Sequence, residues 1–307
     1  MSSRRTITAD DCCQKLNWTD LDLAPIHSLI DLSRAEDLEG SGLVPKPAAC
    51  GDHTSNLLPS DQIITTNARA RQELTICGVE IAREVLARYD SEIIYTPNCS
   101  DGDTLAKGDS IAEIKGPARS LLTAERPVLN FLQRLSGIST LTKRYVLELE
   151  GSNTRLLDTR KTTPGYRYLE KFAVACGGGW NHRMGLFDRI MLKDNHIASF
   201  GDNAMAATQA AVSASRAANP HLLIEMEVDR IDQIPIALAA EVDIILLDNF
   251  SPKDLKTAKE MIGTQAVTEI SGGVTIEFLP ILKDLGHDFI STGATVHQSV
   301  WLDIGLD

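Results

Sequence analysis

The second half of the chain alternates short apolar runs with amphipathic stretches, and each apolar run ends on a polar residue. The runs end at Asp158, Lys193, Glu227, Asp248, Ser271 and Thr292, and the last three intervals are each roughly 21 to 23 residues. Such an interval fits one strand and one short helix. Val242 to Asp248 reads VDIILLD, which predicts a parallel strand buried on both faces. The helix after Asp248 marks its own ends, with Ser251 as N-cap, Pro252 at the first helical position and Gly263 as its stop. Pro235 and Pro280 fall inside predicted helices, and each should start, kink or shorten its helix. Six strand–helix units of this kind predict a parallel barrel, whose chemistry sits at the carboxyl ends of the strands.

The first half has another texture. Residues 1 to about 60 read as irregular, apart from a helix over Leu29 to Leu38 and the Gly/Pro-rich loop after it. From Gln62 to about Gly116, the short runs Ile63-Ile64, Leu74 to Ile76, Glu92 to Tyr95 and Ile111 to Ile114 lie between turns such as Asp101-Gly102-Asp103 and Lys107-Gly108-Asp109. That pattern predicts antiparallel strands joined by hairpins. A helix near Gly78 to Tyr89 places Val79, Ala82, Val85 and Leu86 on one face. This portion is an α+β domain. A long helix over Ala124 to Glu150 follows, with a break or bend expected at Ser136-Gly137.

Composition narrows the class. The 307 residues are 43% hydrophobic and 23% charged, as in an ordinary soluble globular protein. No apolar run approaches the roughly 20 residues that span a bilayer. Arg4 and Arg5 are followed by no apolar core, which argues against a secretory signal, and the early Asp10 and Asp11 weaken a transit-peptide reading. Cys12, Cys13, Cys50, Cys77, Cys99 and Cys176 form no CxxC pair. They read as reduced thiols of a cytoplasmic protein, neither a disulfide framework nor a zinc site.

Charge changes the picture more. The net charge is -12, yet Arg155 to His196 holds eight Lys or Arg against four Asp or Glu. A local cationic cluster on an anionic chain points to a small, multiply charged anion. With a pI near 5.1, the broad basic face that nucleic acid requires is not expected.

The candidate chemistry gathers at the strand ends. Asp158, Arg160 and Lys161 follow one strand, His182 and Arg183 follow Gly177-Gly178-Gly179, and Lys193, Glu227 and Asp248 end three more. Ser271-Gly272-Gly273 and Gly293-Ala294 follow the last two. Arginine forks suit carboxylates and phosphates. Two carboxylates on neighbouring strand ends suit Mg²⁺ or the hydroxyls of a sugar. Glycine turns before helices cradle phosphate on backbone N–H groups. The implied ligands are a phosphorylated sugar, a divalent metal and a carboxylated acceptor. Taken singly, each piece has a plainer explanation. Arg160-Lys161 suits a solvated pair, the glycine run a helix C-cap, Asp248-Asn249 a turn cap, and His182 a structural histidine. His27, His53 and His287 are read as structural. Glu225 and Glu227 share a strand face, and Glu227 is favoured because it lies nearer the strand end. The conjunction at successive strand ends carries the weight.

The strings LLDTRKTTPGYR, CGGGWNHRMGLFD and KDNHI closely resemble the quinolinate phosphoribosyltransferases (nicotinate-nucleotide pyrophosphorylases, carboxylating), as do ERPVLNFLQRLSGIST, EMEVD, DIILLDNF and EISGGV. The match keeps order and spacing from about residue 60 to 300. The resemblance implies an N-terminal α/β sandwich, residues 1–130, joined by a C-terminal tail, 296–307, and an incomplete α/β barrel over 131–295. It implies that Arg126, Arg160, His182, Arg183 and Lys193 surround the two carboxylates of quinolinate, with Arg126 supplied by the neighbouring subunit of a homodimer. Lys161 would lie near the pyrophosphate and the reacting centre. Glu227 and Asp248 would bind the ribose hydroxyls and Mg²⁺, and Ser271, Gly272, Gly273, Gly293 and His297 the 5′-phosphate. Lys161, Lys193, Glu227 and Asp248 would thus be catalytic. Thr295-Val296 departs from the family's usual Leu-Thr before the histidine, and the first 60 residues match poorly. The implied reaction joins quinolinate to phosphoribosyl pyrophosphate with loss of CO₂. Competing readings are a phosphoribosyltransferase for another acceptor, a barrel aldolase or epimerase using Lys193 as a Schiff base, and a non-catalytic phosphometabolite-binding protein.

Overall fold

A computed structural model of the 307-residue chain describes residues 7–307, so Arg4 and Arg5 lie outside the described residues. Helix α1 (Leu23–Glu39) opens the first half, followed by β1 (Ile63–Ala70), β2 (Leu74–Thr75), α2 (Val79–Tyr89), β3 (Ile94–Pro97), β4 (Thr104–Leu105), β5 (Ser110–Pro117) and the long α3 (Ala118–Glu148). The second half runs β6 (Arg155–Leu157), α4 (Arg167–Cys176), β7 (Ile190–Leu192), α5 (Asp194–Ala198), α6 (Ala204–Ala218), β8 (Ile224–Val228), α7 (Ile234–Ala239) and β9 (Ile244–Asp248). It ends with α8 (Pro252–Ile262), β10 (Val267–Ser271), α9 (Leu279–Lys283), β11 (Phe289–Ser291), α10 (Ala294–His297) and β12 (Ile304–Leu306).

The chain divides into two compact units that interleave along the sequence. One unit comprises 16–143, 163–178 and 299–307; the other comprises the residues up to 15, 144–162 and 179–298. In the first unit, β12, β1, β5 and β3 form an antiparallel sheet in that order, and β2 pairs with β4. Helix α2 buries Val79, Ala82, Val85 and Leu86, the face its period predicts. Asp101, from the predicted Asp-Gly-Asp turn, accepts the Gly78 and Val79 N–H groups at 2.6 and 2.9 Å and so caps α2.

Three expectations for this unit are corrected. The strands are antiparallel, but no two consecutive ones pair, so the turns between them close no hairpin. Helix α1 is longer than its apolar pattern suggested, because Asp22 caps it by accepting the Ala24 N–H at 3.0 Å. Helix α3 runs through Ser136-Gly137 without a break. Gly137 serves a close approach instead: a Cβ there would lie 2.0 Å from the Val300 carbonyl oxygen. Ser136 neither breaks the helix nor lies idle, since its Oγ accepts the Cys77 N–H at 3.1 Å.

In the second unit, six parallel strands run in the order β6, β11, β10, β9, β8, β7. The strands β6 and β7 at the two ends do not pair, so the barrel is open. Trp180 bridges to Leu157 beside β6, and Asn181 bridges to Gln14. The predicted strand ends fall at or within a residue of the observed ones, from Asp158 to Thr292. Pro235 and Pro280 each sit in the first turn and start their helices. Ser251 caps α8 by accepting the Asp254 N–H at 3.2 Å, and Gly263 ends it with φ 57°.

Alternate residues of the strands face inward in layers. Ile244, Val267 and Phe289, at the amino ends of β9, β10 and β11, pack with Leu157 and with Cys12. Residues 7–15, read from sequence as irregular, thus close the amino end of the barrel. The outward residues Ile245, Leu247, Ile270 and Ile290 are also buried, as strands covered on both faces require. Among the described residues, no helix is long and apolar enough to cross a membrane.

The close approach at Gly137 gives a stability prediction. Gly137→Ala should cost about 1–3 kcal/mol, the usual scale of overpacking, by urea unfolding. A variant as stable as the wild type would show that residues 299–301 shift freely.

Candidate active site

The carboxyl ends of the barrel strands surround a cavity of about 390 Å³. Its base is the next inward layer, Leu246 and Glu269, which pair in register across β9 and β10. Its rim carries Glu227 on β8, Asp248 on β9, Ser271 on β10 and Ser291 on β11. The cations come from connections. Arg160 and Lys161 follow β6, His182 and Arg183 precede β7, and Lys193 follows it.

Local structure holds these connections. Asp158 is buried directly after β6, and its carboxylate accepts the Asn181 Nδ2–H and the His182 N–H, both at 2.8 Å. The loop bearing Arg160 is therefore tied to the segment bearing His182 and Arg183. Asp188 accepts the Met184 and Gly185 N–H groups at 2.6 and 3.0 Å, closing the turn into β7. Lys193 forms a close ion pair with Glu227. Asp248 accepts the Asn249 Nδ2–H at 2.9 Å. Gly293 packs on Lys161, where a Cβ would lie 2.9 Å from Lys161 Cδ and 3.0 Å from His297 Cδ2.

Beneath the cavity lies a buried charge cluster. Glu225 and Glu269 are fully buried, and His182 Nε2 lies 3.4 and 3.3 Å from their carboxylates. Arg189, also buried, meets Glu225 at 3.1 Å and donates to the Cys12 carbonyl. The His182 Nδ1 lies 2.7 Å from the Arg183 backbone nitrogen, and Arg189 Nη1 lies 3.3 Å from Nε2, which faces both glutamates. Burial lowers the proton affinity of His182, but Glu269 and Glu225 outweigh it and raise its pKa to about 9. Burial raises Glu225, but His182 and Arg189 outweigh it and hold its pKa at about 2. Two carboxylates thus face an arginine and a histidine in one buried layer, while Glu225 Oε1 and both Glu269 oxygens have no hydrogen-bond partner among the described residues. His182, Glu225 and Glu269 bring their ligand atoms within 4.8 Å of one another, but Arg189 already supplies the positive charge that a metal ion would.

Arg160 differs from Arg189. Its Nε is buried without a hydrogen-bond partner among the described residues. The Arg183 guanidinium donates to the Arg189 carbonyl and to Met191 Sδ, both at 3.4 Å. Both guanidiniums therefore keep donors for a ligand.

Of the residues expected from sequence, Arg160, Lys161, His182, Arg183, Lys193, Glu227, Asp248 and Ser271 line this one cavity. Gly272 and Gly273 line a neighbouring cavity of about 190 Å³ that shares Ser271. Gly293 and His297 lie beside Lys161. Arg126 belongs to the other unit, exposed on α3. The side chains of Thr295 and Val296, where the sequence departs from the family pattern, are buried on α10. His287 is buried, hydrogen-bonded to the Leu255 carbonyl at 3.1 Å, and depressed to about 4 by burial, as a structural histidine should be. Sequence reasoning passed over Glu269 and Arg189. Glu269 had a signal: it stands two residues before Ser271 in the same short strand, hence on the same inward face. Arg189 had none beyond its charge.

The cluster gives a pH prediction. The folded-state pKa of His182 is raised, so its proton stabilises the fold fully below about pH 6.5 and is lost as pH rises through about 9. The stability difference between wild type and His182→Gln, from urea unfolding, should shrink between pH 6.5 and 9.5. A difference independent of pH would show that the ring takes no second proton.

Comparison with known proteins agrees with this geometry. The family model described as quinolinate phosphoribosyl transferase, N-terminal domain, matches residues 52–136, and that of the C-terminal domain matches 138–307. A Bacillus subtilis protein described as a probable nicotinate-nucleotide pyrophosphorylase (carboxylating) is 42% identical over 257 residues, covering 84% of this chain and 88% of its own. A Mycobacterium leprae nicotinate-nucleotide pyrophosphorylase (carboxylating) is 38% identical, covering 83% and 89%. The solved structure of the Francisella tularensis nicotinate-nucleotide pyrophosphorylase superposes with a TM-score of 0.86 at 35% identity, over 96% of this chain and 99% of that one. Both family models match in chain order and together span most of the sequence, so the chain belongs to the quinolinate phosphoribosyl transferase family.

Proposed function

We propose that the barrel cavity joins quinolinate to phosphoribosyl pyrophosphate, giving nicotinate mononucleotide, pyrophosphate and CO₂, a step of NAD biosynthesis. The relatives named above are described as carboxylating nicotinate-nucleotide pyrophosphorylases. The observation that carries the reading to this site is Arg160, whose buried Nε has no hydrogen-bond partner among the described residues, at a cavity lined by Lys161, Arg183 and Lys193 and by Glu227 and Asp248. Arg160, Arg183 and Lys193 suit an acceptor with two carboxylates, and His182 supplies a further charge when it holds its second proton. Ser271, Gly272, Gly273, Gly293 and His297 suit a terminal phosphate.

In this reading the ring nitrogen of quinolinate attacks C1 of the ribose as pyrophosphate leaves. Positive charge develops on the sugar in the transition state. Glu227 and Asp248 place negative charge on the rim of the cavity, where it stabilises that state. Lys161 and Lys193 neutralise the leaving pyrophosphate. The ribosylated ring is cationic and accepts the electron pair that CO₂ leaves at the adjacent ring carbon, which then takes a proton. Positioning and exclusion of water supply most of the acceleration. Glu227 and Asp248 are oxygen donors on neighbouring strands, open to the cavity, and this donor set fits Mg²⁺. Bound there, Mg²⁺ would neutralise phosphate charge.

We infer a cytoplasmic protein, supported by six cysteines that are all free. We also infer a homodimer in which the exposed Arg126 serves the partner's cavity. The support is its place in the family motif, and an isologous pair is the minimum that allows it.

The direct test is CO₂ release from carboxyl-labelled quinolinate with phosphoribosyl pyrophosphate and Mg²⁺, each also omitted in turn. Release is expected only with all three. No release from folded protein would move the reading to another acceptor or to a binding role. Arg160→Ala should lower kcat/KM by on the order of 10²-fold or more through quinolinate binding, with an unchanged circular dichroism spectrum. Near-normal efficiency would remove Arg160 from the site.

A further inference from the structure

Asn249 follows Asp248 at the end of β9, and its backbone is left-handed, with φ 56°. Among the described residues, only Glu241 shares a positive φ without being glycine. A turn cap for α8 would be the plain explanation, but that helix is capped by Ser251. The Asn249 side chain is used elsewhere. Its Nδ2 donates to Asp248 Oδ2 at 2.9 Å. Its Oδ1 faces the glycine turn after β10: a Cβ on Gly272 would lie 2.3 Å from Oδ1 and 2.6 Å from Cγ. The Asn249 N–H donates to the Ser271 carbonyl at 3.0 Å. Gly272 and Gly273 have φ 89° and 58°, so the turn takes a path that side chains disfavour and lies against this amide. The amide orientation is set by its neighbours, since a flipped group would aim Oδ1 at a carboxylate.

We propose that Asn249 is a positioning residue for phosphoribosyl pyrophosphate, holding the Asp248 carboxylate and the Gly272-Gly273 turn in one fixed register. This rests on the function proposed above, in which Asp248 serves the ribose and the glycine turn the phosphate. One planar amide touches both, so the two ends of the sugar phosphate meet groups at a set spacing. Asparagine suits the task for two reasons. It tolerates the left-handed backbone better than other side chains, and its two ends offer a donor to the carboxylate and a compact oxygen to the glycine. Alanine loses both contacts, and aspartate loses the donor and adds a like charge beside Asp248.

Two variants test this. Asn249→Gly keeps the left-handed backbone and removes the amide; Asn249→Asp keeps the size and removes the donor. Both are measured for KM of each substrate, for melting temperature, and for calorimetric binding of phosphoribosyl pyrophosphate without acceptor. For both variants, KM and Kd for phosphoribosyl pyrophosphate should rise about tenfold or more, KM for quinolinate should stay within about twofold, and the melting temperature of Asn249→Gly should be unchanged. Wild-type values in both variants overturn the proposal, as does an equal rise in both KM values with a lowered melting temperature. A wild type that neither turns over nor binds phosphoribosyl pyrophosphate overturns the functional reading, and this inference with it. An active wild type with indifferent variants overturns the inference alone.

Discussion

Glu225 and Glu269 stand inside a barrel, where an isolated carboxylate costs several kcal/mol to bury. They persist because Arg189 and His182 reach them within 3.4 Å. That requirement organises much of the site. Arg189 must enter just before β7, which fixes how the strand begins. His182 must turn its Nε2 inward, and Asp158 secures this by binding the His182 backbone. Once Asp158 is committed to Asn181 and His182, the loop after β6 has a fixed start, and Arg160 and Lys161 follow from it.

The cluster also explains why the cavity above it is selective in charge. The buried glutamates face Arg189 and His182 beneath the cavity. The cations that remain, Arg160, Lys161 and Arg183, keep donors for an incoming anion. Lys193 and Glu227 form an ion pair between the ends of β7 and β8, and Asp248 adds a second carboxylate to the rim. In the proposed reaction these cations would meet the anionic acceptor, and the carboxylates and glycine turns the sugar phosphate.

The amino end of the barrel is closed by a different logic. Cys12 packs against the first inward residues of β9, β10 and β11, and burial pushes its thiol up to about 12, so it acts as an apolar plug. Arg155 stacks on Trp180 at 4.2 Å on the same side. An incomplete barrel leaves an open seam, and this segment fills part of what a closed ring of strands would cover.

The sequence by itself determined the elements and their order. Short apolar runs with polar ends located all six barrel strands, because a strand buried on both faces admits polar residues mainly where it emerges. Ser251, Pro252 and Gly263 marked their helix, because capping is a local interaction between residues a few positions apart. The family motifs named the groups that line the cavity, since chemistry constrains residue type directly. The tertiary structure decided what depends on distant partners. Gly137 read as a helix breaker until Val300 was seen to occupy the space of its missing side chain. Residues 7–15 read as irregular, since a plug needs no period of its own. Glu269 stood out only as part of a family string, and Arg189 as one charge among eight. Arg189 meets Glu225 and His182 meets Glu269, and these pairs exist only because parallel strands carry their inward side chains to a common axis, where burial forces opposite charges together.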